Sequence, residues 1–238
     1  MSGTARGLLI TGTDTGVGKT LVACAVIAAT HARGRDVAVY KPAETGCKKI
    51  HGRLTGEDAA RLIAAGGASQ DPSTATSYLF ELPAAPLVAA EAAGAKIDPL
   101  KIASDFERVA RAHDVVVVEG AGGLLVPIAE GYTYLDLALA LDLSVICVVG
   151  SRLGCINHAL LTLDALDRAG AAIRGFVVNQ LESGADAEAF ARSNLTTIQR
   201  FTRCRGLGVF PFVSERARED YAMLARAAEE ALHPEAFL

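Results

Sequence analysis

The stretch LLITGTDTGVGKT, Leu8 to Thr20, decides the fold. Its apolar opening, Leu8-Leu9-Ile10, reads as a buried strand. Gly, Thr and Asp then turn the chain, and Gly18-Lys19-Thr20 opens a helix. Strand, glycine-containing loop and Gly-Lys-Thr in that order point backbone N–H groups of the loop and the helix N-terminus at a polyphosphate. Lys19 then reaches the β- and γ-phosphates, and the Thr20 hydroxyl takes a Mg²⁺ ion. The usual motif, G-x-x-x-x-G-K-[S/T], is one residue tighter: Gly12 and Gly18 bracket five residues here, with Thr13 where the first Gly is expected. An ordinary strand-to-helix turn with an exposed lysine is the plainer alternative. It does not account for two hydroxyls and two glycines packed around one lysine.

Outward from the loop, strands and helices alternate. Leu21 to Ala32 is apolar on most faces, as expected of a helix covering a sheet, and Gly34 stops it. Asp36 to Tyr40 reads as a short strand ending in Lys41-Pro42, with Ala43 to Gly46 as a loop at its C-terminal end. Cys47 to Gly56 is polar and basic and reads as a mobile loop; Glu57 to Ala65 reads as a short helix. Ser69 to Ser77 is irregular, Tyr78 to Phe80 a brief strand, and Val88 to Ala93 a helix. Asp98-Pro99 caps a clear helix through Ala112. Four consecutive valines, Val115 to Val118, mark a strand buried on both faces, as in a parallel sheet. Further strands are expected over 144–149, 173–179 and 207–212, and further helices over 134–141, 156–169, 185–203 and 215–232. The class is therefore α/β, a mostly parallel sheet flanked by helices of the P-loop NTPase kind, in one domain spanning 1–238.

Composition narrows the function. Of 238 residues, 51% are hydrophobic, ample for a large core, and the net charge of −4 suggests neither a nucleic-acid nor an anionic-membrane surface. No apolar run approaches the ~20 residues that span a bilayer. Met1 to Arg6 leads straight into a strand, which predicts no secretory signal. The five cysteines (Cys24, Cys47, Cys147, Cys155, Cys204) are spread and unpaired in spacing, so they read as reduced thiols of a cytoplasmic protein.

In an open parallel sheet, ligands gather at the C-terminal ends of the strands. That edge collects the loop at 11–20, Lys41 to Gly46, Glu119 to Gly123, Gly150 to His158, and Asn179-Gln180. Glu119 directly follows the four valines; it is a capped strand end or a Mg²⁺ ligand facing the loop, since a hard ion held by phosphates needs only one or two carboxylates. Asp58 is the natural second carboxylate, or else a helix-start acid favoured by the dipole. Lys41 is an exposed lysine or a second positive charge for a phosphoryl group, where positioning and charge stabilisation do most of the catalysis.

Several strings together resemble dethiobiotin synthetase, the ATP-dependent carboxylase-cyclase of biotin synthesis. They are TGTDTGVGKT (11–20), YKPAETG (40–46), VEGAGGLLVPI (118–128), VVGSRLGCINHALLT (149–162) and VVNQ (177–180), in the family's order and over most of the chain. The resemblance implies closure of a ureido ring on 7,8-diaminononanoate with CO₂ and ATP, through a carbamate and a carbamic-phosphoric anhydride. It implies that Thr15, Gly18, Lys19 and Thr20 hold the triphosphate, with Asp14, Gly16 and Val17 as the loop between. It implies Mg²⁺ on Thr20, Asp58 and Glu119, and Lys19 and Lys41 at the transferring group. Thr45 would contact the diamine or its carbamate, and Asn179, with Gln180 and Pro211 nearby, would read the adenine. Gly154, Cys155, Ile156 and Asn157, at a helix N-terminus, would bind the substrate carboxylate for the neighbouring subunit, which implies a homodimer.

Three rivals share parts of this pattern. Partition and division-site-positioning ATPases carry a signature lysine early in their loop, where Asp14 stands here. A cobyrinate-type amide synthase needs a glutaminase domain for which the chain has no room. A nucleotide-binding scaffold has less need of a second lysine at the γ-phosphate.

Overall fold

A computed structural model describes residues 6–233 and 235. The expectations that touch residues 1–5, 234 and 236–238 lie outside it. The chain runs β1 (Arg6–Gly12), α1 (Lys19–Ala32) and β2 (Val37–Thr45), then a small hairpin of β3 (Lys48–Ile50) and β4 (Arg53–Thr55). Helix α2 (Glu57–Ala65), strand β5 (Thr76–Phe80) and helices α3 (Pro86–Ala92) and α4 (Pro99–Ala110) lead to β6 (Val115–Glu119). A second hairpin, β7 (Pro127–Ala129) with β8 (Tyr132–Thr133), precedes α5 (Tyr134–Ala140) and β9 (Ser144–Gly150). Then come α6 (Cys155–Arg168), β10 (Ile173–Asn179), α7 (Ala185–Phe201), β11 (Gly206–Phe210) and α8 (Tyr221–Ala231).

Seven of these strands form one sheet in the order β11-β10-β9-β1-β6-β2-β5. Every neighbouring pair is parallel. The apolar runs explain this arrangement, because each strand must present hydrophobic groups to both faces. Leu8, Ile10, Val115 and Val117 face one apolar layer, beneath α1, α2 and α8. Leu9, Val116 and Val118 face the other, beneath α3 to α7. Helix α1 lies between α2 and α8, and so is buried almost all round from Val22 to Thr30.

The order of the strands places the site. From β1 the chain moves out through β2 to β5, returns to β6 on one side of β1, and then continues through β9, β10 and β11 on the other. Strand β1 is thus the switch point, where a crevice opens at the strands' C-terminal ends. Ile10 lies level with Glu119 across the β1–β6 pair, so Glu119 ends its strand just where β1 enters its loop.

Four expectations need correction. The strand expected to end at Tyr40 continues to Thr45, because pairing with β5 (Lys41 with Thr76, Ala43 with Tyr78, Thr45 with Phe80) carries it on. The segment 47–56 is not a loop but the β3–β4 hairpin, closed by His51 and Gly52 with φ of 51° and 79°, the positive values a two-residue hairpin turn demands. The last helix begins at Tyr221, where Asp220 caps it by accepting from the Met223 N–H; a separate 3₁₀ turn occupies 215–217. The last strand stops at Phe210 rather than Phe212. The β7–β8 hairpin was not signalled, since its strands are too short to show periodicity.

Candidate active site

A cavity of about 650 Å³ opens at the switch point, within the usual range for a small-molecule site. Its floor is the phosphate loop, where Thr15, Gly16, Gly18, Lys19 and Thr20 line it. Gly18, just ahead of α1, has a φ of 89°, and a Cβ there would collide with the Asn179 amide. Only glycine meets both demands. Gly18→Ala is accordingly expected to weaken ATP binding by at least about tenfold, since strain of ~1–3 kcal/mol falls on the loop itself; calorimetric titration of ATP checks this, and an unchanged affinity would refute it.

The Lys19 ammonium donates to the Asp14 carbonyl at 2.8 Å, which curls the loop around it. Burial pulls this ammonium down to about 8, against the attraction of Glu119. The Asp14 side chain turns away: it accepts from the Thr15 N–H at 2.7 Å and pairs with Arg152 in the loop before α6. Val17 is buried in the apolar layer, and its carbonyl accepts from the Asn179 amide at 2.9 Å.

Two carboxylates converge on Thr20, and Lys41 bridges them. The Thr20 hydroxyl lies 3.0 Å from Glu119 Oε1 and 3.3 Å from Asp58 Oδ1. Lys41, buried at the middle of β2, donates to Glu119 Oε1 at 2.5 Å, to Asp58 Oδ2 at 3.0 Å and to the Gly120 carbonyl at 3.3 Å. All three of its N–H donors are therefore used. Burial alone would pull the Lys41 ammonium down, but Glu119 and Asp58 more than offset it and hold it above the ordinary lysine range. Burial raises the Asp58 carboxyl, but Lys41, the Thr20 hydroxyl and Arg61 together outweigh it, and the net direction is down. Glu119 goes the other way: enclosure and the neighbouring Asp58 carboxylate push it up, against the pull of Lys41 and Thr20. The pair is charged, because carboxylate oxygens on two sides hold the Lys41 ammonium above the ordinary lysine range against burial.

Thr20, Asp58 and Glu119 fit a hard divalent cation. One hydroxyl and two carboxylates gather beside the phosphate loop, and Glu119 Oε2 is buried with no hydrogen-bond partner. An unpaired buried carboxylate oxygen calls for a partner from outside the chain. A Mg²⁺ ion needs few protein ligands when phosphates and water supply the rest. No cluster of three or more His, Cys, Asp or Glu side chains suited to a metal occurs among the described residues, so no all-protein cage competes. Asn179 Oδ1, a residue of the cavity wall with Gln180, is a further buried atom without a partner.

The remaining site residues divide. Thr45 lines the cavity, as do Pro83, Ala84, Ala85 and Pro86. Pro211 does not, though the next residues, Phe212 and Val213, do. None of Gly154, Cys155, Ile156 and Asn157 lines it; they sit at the start of α6, with Gly154 in the N-cap position at φ 89° and Cys155 buried beneath the helix. Three participants were not foreseen. Arg61, one turn along α2 from Asp58, is a wall residue, and so is Arg218. Helical spacing from Asp58 was the available signal for Arg61; Arg218 had none. The third is Glu44, whose carboxylate accepts from the backbone of α2. Its place in the Lys41–Gly46 string was the only hint.

Known proteins match this chain nearly end to end. The family described as AAA domain matches residues 6–220. The ATP-dependent dethiobiotin synthetase of Aromatoleum aromaticum is 41% identical over 88% of this chain and 92% of its own. The enzyme of the same name from Anaeromyxobacter dehalogenans strain 2CP-C is 40% identical over 92% of this chain and 95% of its own. Among solved structures, the septum site-determining protein MinD complexed with Mg-ADP from Pyrococcus horikoshii superposes with a TM-score of 0.57 over 98% of this chain and 93% of that one, at 18% identity. That likeness is one of fold, a P-loop NTPase sheet. The two dethiobiotin synthetase matches cover 88% and 92% of this chain at 41% and 40% identity, and on them the chain belongs to the family of ATP-dependent dethiobiotin synthetases.

Proposed function

We propose that this chain uses Mg-ATP to close a cyclic urea on 7,8-diaminononanoate with CO₂, releasing dethiobiotin, ADP and phosphate. The observation that carries the reading is the convergence of Lys41, Asp58, Glu119 and Thr20 on the phosphate loop, because a second buried cation beside Lys19 suits a transferring phosphoryl group better than it suits simple nucleotide storage.

The reaction divides into three balanced steps. One amine of the diamine adds to the carbon of CO₂ and loses a proton, which gives a carbamate. A carbamate oxygen attacks the γ-phosphorus, ADP leaves, and a carbamic-phosphoric anhydride remains. The second amine attacks the carbonyl carbon, loses a proton and expels phosphate. Backbone N–H groups of Thr15 to Thr20 and the Lys19 ammonium hold the triphosphate. The Lys41 ammonium neutralises charge on the carbamate and on the transferring group, and Thr45 offers its hydroxyl to the diamine or carbamate. Thr20, Asp58 and Glu119 would hold a Mg²⁺ ion, which would supply charge neutralisation to the transferring phosphate. Asn179, with Gln180 and the segment around Pro211, faces the base.

The Gly154–Asn157 segment is proposed to bind the substrate carboxylate of a second copy, since a helix N-terminus suits an anion and this one stands outside its own cavity. Leu153 beside it is 94% exposed and Leu161 62%, apolar surface that a homodimer would cover. Among the described residues no helix is long and apolar enough to cross a membrane, and all five cysteines are free thiols. Both features suit work in the cytoplasm.

Phosphate release from Mg-ATP and bicarbonate, with and without the diamine, tests the reading. Release that requires the diamine, together with a cyclic urea in the mass spectrum, is expected. Slow release indifferent to the diamine would return the chain to the positioning ATPases that share its fold.

The depressed Lys19 gives a second check. Its charged form binds the triphosphate, and in the free protein that form is lost as pH rises through about 8. The Kd for ATP is expected to be level from pH 6 to 7.5 and to rise above 8 by up to about tenfold per unit. Lys19→Arg should remove the break, because Arg does not titrate in this range. A level profile to pH 9.5 in the unsubstituted protein would refute the assignment.

A further inference from the structure

Helix α2 begins without a cap of its own. Its N-cap residue is Gly56, which has no side chain to offer the N–H groups of the first turn. The acceptor comes from strand β2: Glu44 Oε1 accepts from the Asp58 N–H at 2.8 Å, and Oε2 accepts from the Ala59 N–H at 3.1 Å. These are the second and third helical positions, the ones an N-cap side chain ordinarily serves. The carboxylate fills the space that Gly56 leaves. A Cβ on Gly56 would stand 2.6 Å from Glu44 Cδ and 2.9 Å from its Oε1, so a conventional Ser or Asp cap and Glu44 exclude one another. Glu44 is only 4% exposed, and no step of the proposed reaction uses it.

Strand β2 therefore grips Asp58 twice. Lys41 holds its side chain at 3.0 Å, and Glu44, three residues on, holds its main chain. With both contacts made, the Asp58 carboxylate has little freedom to turn away from Thr20 and Glu119. We propose that Glu44 is a positioning residue, which caps α2 from the neighbouring strand and thereby sets Asp58 for Mg²⁺. A cap supplied from within the helix would satisfy the same N–H groups and leave α2 free to shift against the sheet. The inference rests on reading Asp58 as a Mg²⁺ ligand.

The test is the Mg²⁺ concentration that half-saturates tight ATP binding, measured calorimetrically on the unsubstituted protein, Glu44→Ala, Asp58→Ala and the double variant, with a thermal melt of each. Glu44→Ala is expected to raise that concentration by about tenfold or more, the scale seen when a residue orienting a metal ligand is lost. The double variant should match Asp58→Ala, because Glu44 acts through Asp58. A Glu44→Ala protein that melts earlier but titrates Mg²⁺ normally would reduce Glu44 to a helix cap and overturn the proposal; so would shifts that add in the double variant. If Asp58→Ala leaves the titration unchanged, it is the reading of Asp58 that fails. Should Glu44→Ala not fold, Glu44→Gln, which keeps one acceptor oxygen, is expected to give an intermediate shift, and an unshifted titration would overturn the proposal equally.

Discussion

Lys41→Ala is expected to lower kcat by about 10³-fold and to leave the Kd for ATP within a few-fold, the pattern of a group that acts on developing charge rather than on the bound nucleotide. On the proposed reading the triphosphate is held by the loop of residues 15–20 with Lys19, which opens α1, whereas Lys41 belongs to β2. The substitution also leaves Glu119 and Asp58 beside one another without their shared cation. Stability must therefore be followed separately; retained ATP binding is itself the proof that the variant has folded. A rise in Kd that matched the fall in kcat would make Lys41 an anchor for the nucleotide and remove it from the chemistry.

Glu119→Ala is expected to cost about 3–5 kcal/mol of stability, because it leaves a buried ammonium with only the half-exposed Asp58 carboxylate to pair with. In a chain of this size that corresponds to a fall in Tm of roughly 6–20 °C. The contrast with Asp58 is informative, since Lys41 pairs with both. The Glu119 side chain is 1% exposed and the Asp58 side chain 35%, so water screens the second pair and replaces part of what is lost; Asp58→Ala should cost about 1 kcal/mol or less. The double variant Lys41→Ala/Glu119→Ala should regain much of the loss, as no isolated charge is then left inside. Losses from the two single substitutions that simply add would show that the pair is not coupled, and the short contact between them would have no energetic meaning.

Much of this was legible in the residues. The Leu8–Ile10 and Val115–Val118 runs announce two-faced burial, and Gly18-Lys19-Thr20 after a strand announces the loop, because both signals are local and each has a single physical cause. Lys41 and Glu119 could be placed at the edge because each directly ends an apolar run. What was not legible depended on partners distant in sequence. Residues 43–46 read as loop because Glu44 and Thr45 have no strand pattern, yet pairing with β5 makes 43–45 strand. The hairpin at 48–55 was hidden for the same reason, its strands being polar and exposed with only His51-Gly52 to mark the turn. Asp58 could be read as a mere helix-start acid; only the fold shows that its side chain faces Lys41 and its N–H faces Glu44.

The alternation of β1 and β6 between two apolar layers also bears on how the chain can change in length. Adding or deleting one residue within Leu8–Ile10 or Val115–Val118 would send every later side chain of that strand to the opposite layer, and would rotate the phosphate loop or Glu119 away from its partner in the same stroke. A residue gained in the exposed 93–96 connection between α3 and α4 meets no such constraint, and lengthening a surface loop costs only a fraction of a kcal/mol. Insertions and deletions among homologues should therefore collect in such connectors and spare the central strands, which hold reading frame and chemistry in common.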